Sequence, residues 1–154
     1  MTIEAVKQYL TTCGLDDRVT EFDVSSATVE LAAQALGCEP CLIAKTMSFL
    51  VDGHPVLVVL AGDARVDNAK FKATFHSKAK MLSHEQVAEL TGFPVGGVCP
   101  FLAPEGTDVY LDESLKRFEV VYPAAGTRNS AVKVTIAELE RAAKPKGWVN
   151  VGKW

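Results

Sequence analysis

The chain has 154 residues, 48% hydrophobic and 23% charged, with a formal net charge of −3. That length suits one domain with a proper core better than two. The charge balance excludes any global attraction to nucleic acid, DNA included, or to an anionic membrane, so a polyanionic partner must be met by a local patch.

No apolar run approaches the roughly 18 residues needed to cross a bilayer. Residues 1–10 carry no signal-peptide core, so the expected location is the cytoplasm. Ile3, Val6, Tyr9 and Leu10 recur at helical spacing and predict a helix over 3–13, stopped by Gly14. A short extended piece follows at 19–24. Thr28 can cap a second helix over 29–36, with Gly37 just past its end.

Residues 43–51 then alternate with period 2 and predict a strand. Ile43, Lys45, Met47, Phe49 and Val51 share one face. A lysine therefore stands where packing wants an apolar residue. Either Lys45 snorkels past its neighbours to water, or it is a cation held at the mouth of a pocket for an anionic ligand. Asp52 and Gly53 make a turn, and the continuous apolar run 55–61 predicts a buried strand completing a hairpin.

Asp67 can cap a helix over 68–75. Ser83 and Gln86 form a capping box for another to about Thr91, stopped by Gly92. Strands are predicted at 109–111, 118–122 and 131–134, with one turn of helix after Asp112. Thr135 and Glu138 make a second capping box for a helix to about Ala143, and 147–154 adds a last strand. Helices and strands mix without strict βαβ alternation. The expected class is α+β, a single domain built on a mixed sheet.

Three features bear on chemistry. Between Arg65 and Lys80, Arg65, Lys70, Lys72, Lys78 and Lys80 stand against Asp67, five minus one, or +4. This is either a solvated helix face or an edge that contacts phosphates without reading bases. The loop Gly96-Gly97-Val98-Cys99-Pro100 is either a tight turn or a nest of amides aimed at an anion or oxyanion. Cys38 and Cys41 form a CxxC that precedes a strand instead of opening a helix after one, so a redox role is disfavoured. The other cysteines and the three histidines offer no second ligand pair, so no metal or other cofactor is expected. No nucleophile triad or carboxylate pair stands out.

Leu36-Gly37, Ile43-Ala44-Lys45-Thr46, Ala61-Gly62-Asp63, the loop 96–101, the stretch 112–115 and Ala125-Gly126-Thr127-Arg128-Asn129-Ser130, in that order, resemble the YbaK family. Its members are free-standing relatives of the editing domain inserted in bacterial prolyl-tRNA synthetases. The resemblance covers about 28–139. It implies a curved, barrel-like mixed sheet and hydrolysis of mischarged aminoacyl-tRNA, chiefly tRNA(Pro) carrying alanine or cysteine. It also implies prolyl-tRNA synthetase as a partner. The family's essential strand lysine corresponds to Lys45, and its G-x-x-x-P loop to Gly96, Gly97, Val98, Cys99 and Pro100. Thr46, Phe101, Gly126, Asn129 and Ser130 are the expected substrate contacts, and Arg65, Lys70 and Lys72 the expected contacts to the acceptor-end backbone. The alternative is a module of the same fold that binds tRNA or a synthetase without catalysis.

Overall fold

The computed structural model describes residues 2–154. Met1, the first residue of the N-terminal stretch considered above, lies outside the described residues. Helix α1 (Ile3–Thr12) is capped by the Thr2 hydroxyl, which accepts from the Ala5 N–H at 3.2 Å. It buries Val6 and Leu10. Strand β1 (Val19–Glu21) leads to helix α2 (Val29–Leu36), capped by Thr28 and ended by Gly37 in the left-handed region. A 3-10 turn (Pro40–Leu42) then delivers the chain to strand β2 (Ile43–Val51), which pairs antiparallel with β3 (His54–Ala61). Every residue from Val56 to Ala61 is buried, so both faces of β3 are covered, as its unbroken apolar run predicts.

A two-residue strand, β4 (Arg65–Val66), precedes α3 (Asn68–Phe75), and the Ser83 capping box starts α4 (His84–Thr91). Phe71 of α3 sits between Phe49 (ring centroids 4.8 Å) and Phe75 (4.7 Å), and Phe75 meets Tyr110 edge-on (5.1 Å). That aromatic row fixes α3 to the sheet. After the loop 92–107 come β5 (Asp108–Asp112), a 3-10 turn (Glu113–Arg117), β6 (Val120–Pro123), β7 (Ser130–Val132) and β8 (Val134–Thr135). Helix α5 (Ile136–Ala143), β9 (Gly147–Val149) and β10 (Gly152–Lys153) complete the chain.

The main sheet has six strands in the order β8-β6-β2-β3-β5-β9. It is mixed: β2 and β3 are antiparallel, while β2 with β6, β3 with β5 and β5 with β9 are parallel. It curls into a half-barrel flanked by the helices, the mixed α/β class expected.

Two predicted strands are each split. The run 131–134 changes partners at Lys133, whose N–H donates to the Arg18 carbonyl at 3.0 Å. β7 therefore pairs with β1, and β8 with β6. The tail is broken at Asn150 because the fully buried Asp112 carboxylate accepts from the N–H groups of Val151 (2.8 Å) and Gly152 (3.1 Å). That capture turns the chain away from β9, so β10 pairs with β4 instead.

Candidate active site

The strand β2 is bordered on one edge by β3 along its whole paired length, from Ala44 opposite Ala61 to Val51 opposite His54. Its other edge is shared. β6 covers only Ile43 and Ala44 there, because the chain leaves the strand after Pro123. Farther along, Leu50 donates to the Lys80 carbonyl at 2.8 Å and Leu82 donates to the Ser48 carbonyl at 3.1 Å. Between these two coverings the edge is open, and a cavity of about 290 Å³ lies against it.

Ile43, Ala44, Lys45 and Thr46 form one wall of the cavity; Gly96, Val98, Ala124 and Ser130 also line it. The start of α2 and the segment leading into it close the cavity with Ser26, Ala27, Thr28, Val29 and Ala32. No carboxylate or imidazole belongs to this lining, so Lys45 supplies its only full charge.

The Lys45 ammonium is half-buried and donates to the backbone carbonyl of Ala64. Burial pushes its pKa below the ordinary lysine range; Asp63 opposes that shift, Arg65 adds to it, and Glu30 opposes it. The carbonyl that receives Lys45 is itself held firmly. Gly62 lies so close to the Pro40 backbone that an added Cβ would stand 2.0 Å from the Pro40 oxygen. Asp63 is gripped by Arg117 through two bonds, of 3.0 Å and 2.5 Å. Those bonds hold the Asp63 carboxyl below the usual carboxylate range. Arg117 is sandwiched against Phe118 (4.7 Å) and Trp154 (4.6 Å). The loop after β3 is thus a fixed platform for the lysine.

The loop facing Lys45 is equally constrained. Gly96 has φ +84°, and an added Cβ would meet the Ala27 Cβ at 2.8 Å. At Gly97 it would meet the Thr127 backbone at 2.9 Å. The Gly97 N–H is spent on the Pro94 carbonyl (2.9 Å), and Pro100 has none. Of the amides considered in the sequence, those of Gly96 and Val98 belong to cavity-lining residues.

The family model of the aminoacyl-tRNA editing domain matches residues 23–142. This chain belongs to that family. The editing domain is 47% identical over 154 residues to the uncharacterized protein YwhH of Bacillus subtilis, covering 99% of this chain and 98% of that protein. It is 29% identical over 125 residues to a proline–tRNA ligase of Bacillus velezensis, covering 80% of this chain and 22% of that enzyme. A crystal structure provisionally described as a trans-editing enzyme for prolyl tRNA synthetase superposes with a TM-score of 0.87 at 29% identity, covering 99% of this chain and 97% of that one.

Of the site residues read from the sequence, Lys45, Thr46, Gly96, Val98 and Ser130 meet at the editing-domain cavity. The others stand behind it or away from it. Cys99 and Phe101 are fully buried in the core. Burial raises the Cys99 thiol to about 12, so it stays protonated. Gly126, at φ +92°, packs against Val6 and Phe93, and the Asn129 side chain ties the loop to Phe22 by donating to its carbonyl at 2.9 Å. Ser130 receives the Ala125 N–H (3.2 Å) and bonds Thr127 Oγ1 (2.8 Å), which knits the 125–130 turn together.

Lys70 is occupied by the Gly152 carbonyl (2.8 Å) and Asn150 (3.2 Å), whereas Lys72 shares a separate cavity with Lys78. The α2 N-terminus was missed as a wall. The Thr28 cap marked where the helix starts but carried no sign that it faces β2. The Asp63–Arg117 clamp spans 54 residues and has no local signal.

Among the described residues, no helix is long and apolar enough to cross a membrane. Nor does any group of three or more His, Cys, Asp or Glu stand ready for a metal ion.

Proposed function

We propose that this chain, acting as one editing domain over residues 1–154, hydrolyses mischarged tRNA in trans in the cytoplasm. Its substrate is tRNA(Pro) carrying alanine or cysteine, and it works alongside prolyl-tRNA synthetase. The observation that carries the reading is a single half-buried ammonium, Lys45, sharing a small cavity with the backbone of Gly96 and Val98. A volume of about 290 Å³ is of the order of a small-ligand site, which suits the aminoacyl end of a tRNA.

In this mechanism Lys45 is a positioned cation that holds the terminal ribose edge or its phosphate. The peptide N–H groups of Gly96 and Val98 face the ester carbonyl and stabilise the oxyanion as it forms. The oxygen of a water attacks the carbonyl carbon, and the bond from that carbon to the ribose oxygen breaks. One water proton ends on the ribose oxygen. The other is released as the amino acid leaves as a carboxylate. With no carboxylate or imidazole in the lining, the attacking water takes help from the substrate itself: the neighbouring hydroxyl orients it by hydrogen bonding, or the neutral α-amine accepts its proton. Arg65, next to the carbonyl that holds Lys45, and Lys72 form no ion pair among the described residues; both are assigned to tRNA phosphates.

The test is deacylation of Ala-tRNA(Pro) and Cys-tRNA(Pro) with the wild-type protein and Lys45→Ala. Turnover by the wild type and loss in a folded variant support the reading. Tight tRNA binding without turnover by the wild type would make the chain a binding module instead.

A further inference from the structure

Thr46 combines three polar groups that the fold leaves unused. Its Oγ1 is buried without a hydrogen-bond partner, alone in this among the buried side-chain polar atoms of the described residues. Its peptide groups follow from the register. The β2–β3 pairing runs without a bulge, and the Leu50 N–H and Ser48 C=O both address the edge away from β3. Successive residues of a strand turn their peptide groups to alternate edges, so the N–H and C=O of Thr46 address that same edge. β6 has ended at Pro123, and the 80–82 segment begins its pairing at Ser48. The Thr46 N–H and C=O therefore lack a ladder partner and face the cavity that Thr46 lines.

A buried polar group without a partner is costly, and a site that sets one beside two peptide groups without a ladder partner is shaped for a ligand with complementary groups. The matching ligand has a donor and a carbonyl acceptor spaced as in one peptide residue, which is the pairing unit of strand addition. We propose that the open edge at Thr46 is the subsite for the amino-acid half of the substrate, an α-amino acyl ester bound as a one-residue strand. Its α-amine donates to the Thr46 carbonyl. Its ester carbonyl accepts from the Thr46 N–H, which acts as an oxyanion donor alongside the 96–98 turn. The Thr46 hydroxyl meets the remaining polar edge of the ligand.

This assignment rests on the deacylase reading and adds to it the recognition of the free α-amine. The amine can donate whether it is protonated or neutral, so its nearness to the Lys45 cation does not prevent the bond. The class selected is α-amino acyl groups over their des-amino counterparts. The main chain makes that choice, so no side-chain substitution at position 46 abolishes it.

The test uses two hydrolysis-resistant probes, 3′-deoxy-3′-(L-alanylamino)adenosine and its propionylamino analogue, with the ¹⁵N-labelled full chain. The alanyl probe should shift the amide resonance of residue 46. The propionyl probe should bind about fivefold to 150-fold more weakly, the effect of leaving one buried carbonyl unpaired. Thr46→Val should weaken the alanyl probe about twofold to tenfold while preserving the amide shift and the preference for the amine. No shift at residue 46, or equal affinity for the two probes, overturns the assignment. A wild-type protein that shows the shift and the preference but cleaves no charged tRNA retains the subsite and overturns the deacylase reading instead. Cleavage without the shift does the reverse.

Discussion

Replacing Lys45 with methionine separates what this residue does for stability from what it does for chemistry. Met keeps a flexible stem of similar length and removes the charge. The variant loses the hydrogen bond to the Ala64 carbonyl, worth about 1.5–3 kcal/mol when the donor is charged. It also escapes the cost of holding an ammonium half out of water with no salt-bridge carboxylate, which reaches several kcal/mol for a fully buried ion and less here. The two terms offset each other, so the unfolding free energy should stay within about 1 kcal/mol of wild type. For a chain of this size that is a change in Tm of about 2–4 °C. Deacylation should fall by about 10²-fold or more, the scale for losing one electrostatic contact in a transition state.

The pH dependence supplies an independent check. Burial lowers the Lys45 pKa in the folded state. Between that value and the ordinary lysine pKa, the unfolded chain binds more protons than the folded one. Wild-type stability therefore gains a rising contribution with pH across that window, and Lys45→Met lacks it. Urea titrations of both proteins across alkaline pH, with m held constant, measure the difference. A variant destabilised by more than about 3 kcal/mol, or identical pH slopes in the two proteins, would show that Lys45 is a structural residue whose charge is not strained.

Gly96→Ala forces a left-handed φ on a residue with a side chain and sets its Cβ 2.8 Å from Ala27. It should cost about 2–4 kcal/mol in denaturant unfolding and narrow the cavity, with kcat reduced more than any loss of folded protein explains. Asp63→Asn removes the anion that props up the Lys45 charge, so the alkaline limb of the deacylation pH profile should move to lower pH; a limb that stays put disconnects the two residues. Lys70→Gln breaks the tie to Gly152 and should lower Tm, whereas Lys72→Gln should leave Tm alone and flatten the salt dependence of tRNA binding. The opposite assignment of the two effects would reverse their roles.

The elements with local signals were legible in the sequence. The Ser83–Gln86 and Thr135–Glu138 capping boxes, Thr28 with Gly37, and the alternating run 43–51 all lie within a few residues of the structure they specify. The splits at Lys133 and Asn150 were not legible. Each depends on a partner far along the chain, the Arg18 carbonyl in one case and the Asp112 carboxylate in the other. The site divides in the same way. Lys45 was conspicuous as a charge on an apolar face, and the paired glycines marked a tight loop. Cys99 and Phe101 turn into the core while Val98 lines the cavity, in a loop whose Gly97 lies close against the Thr127 backbone. Residue types alone do not encode that choice. The open strand edge at Thr46 follows from where β6 stops and the 80–82 segment begins, and so required the assembled sheet.

The proposed chemistry rests on one half-buried ammonium and nearby peptide donors that cleave an aminoacyl ester. A panel of individually mischarged tRNAs, each incubated with wild-type protein and with Lys45→Ala, tests it most directly. The account predicts release of alanine or cysteine from tRNA(Pro) by the wild type and background release by the folded variant. Equal rates for the two proteins on every tRNA would contradict it.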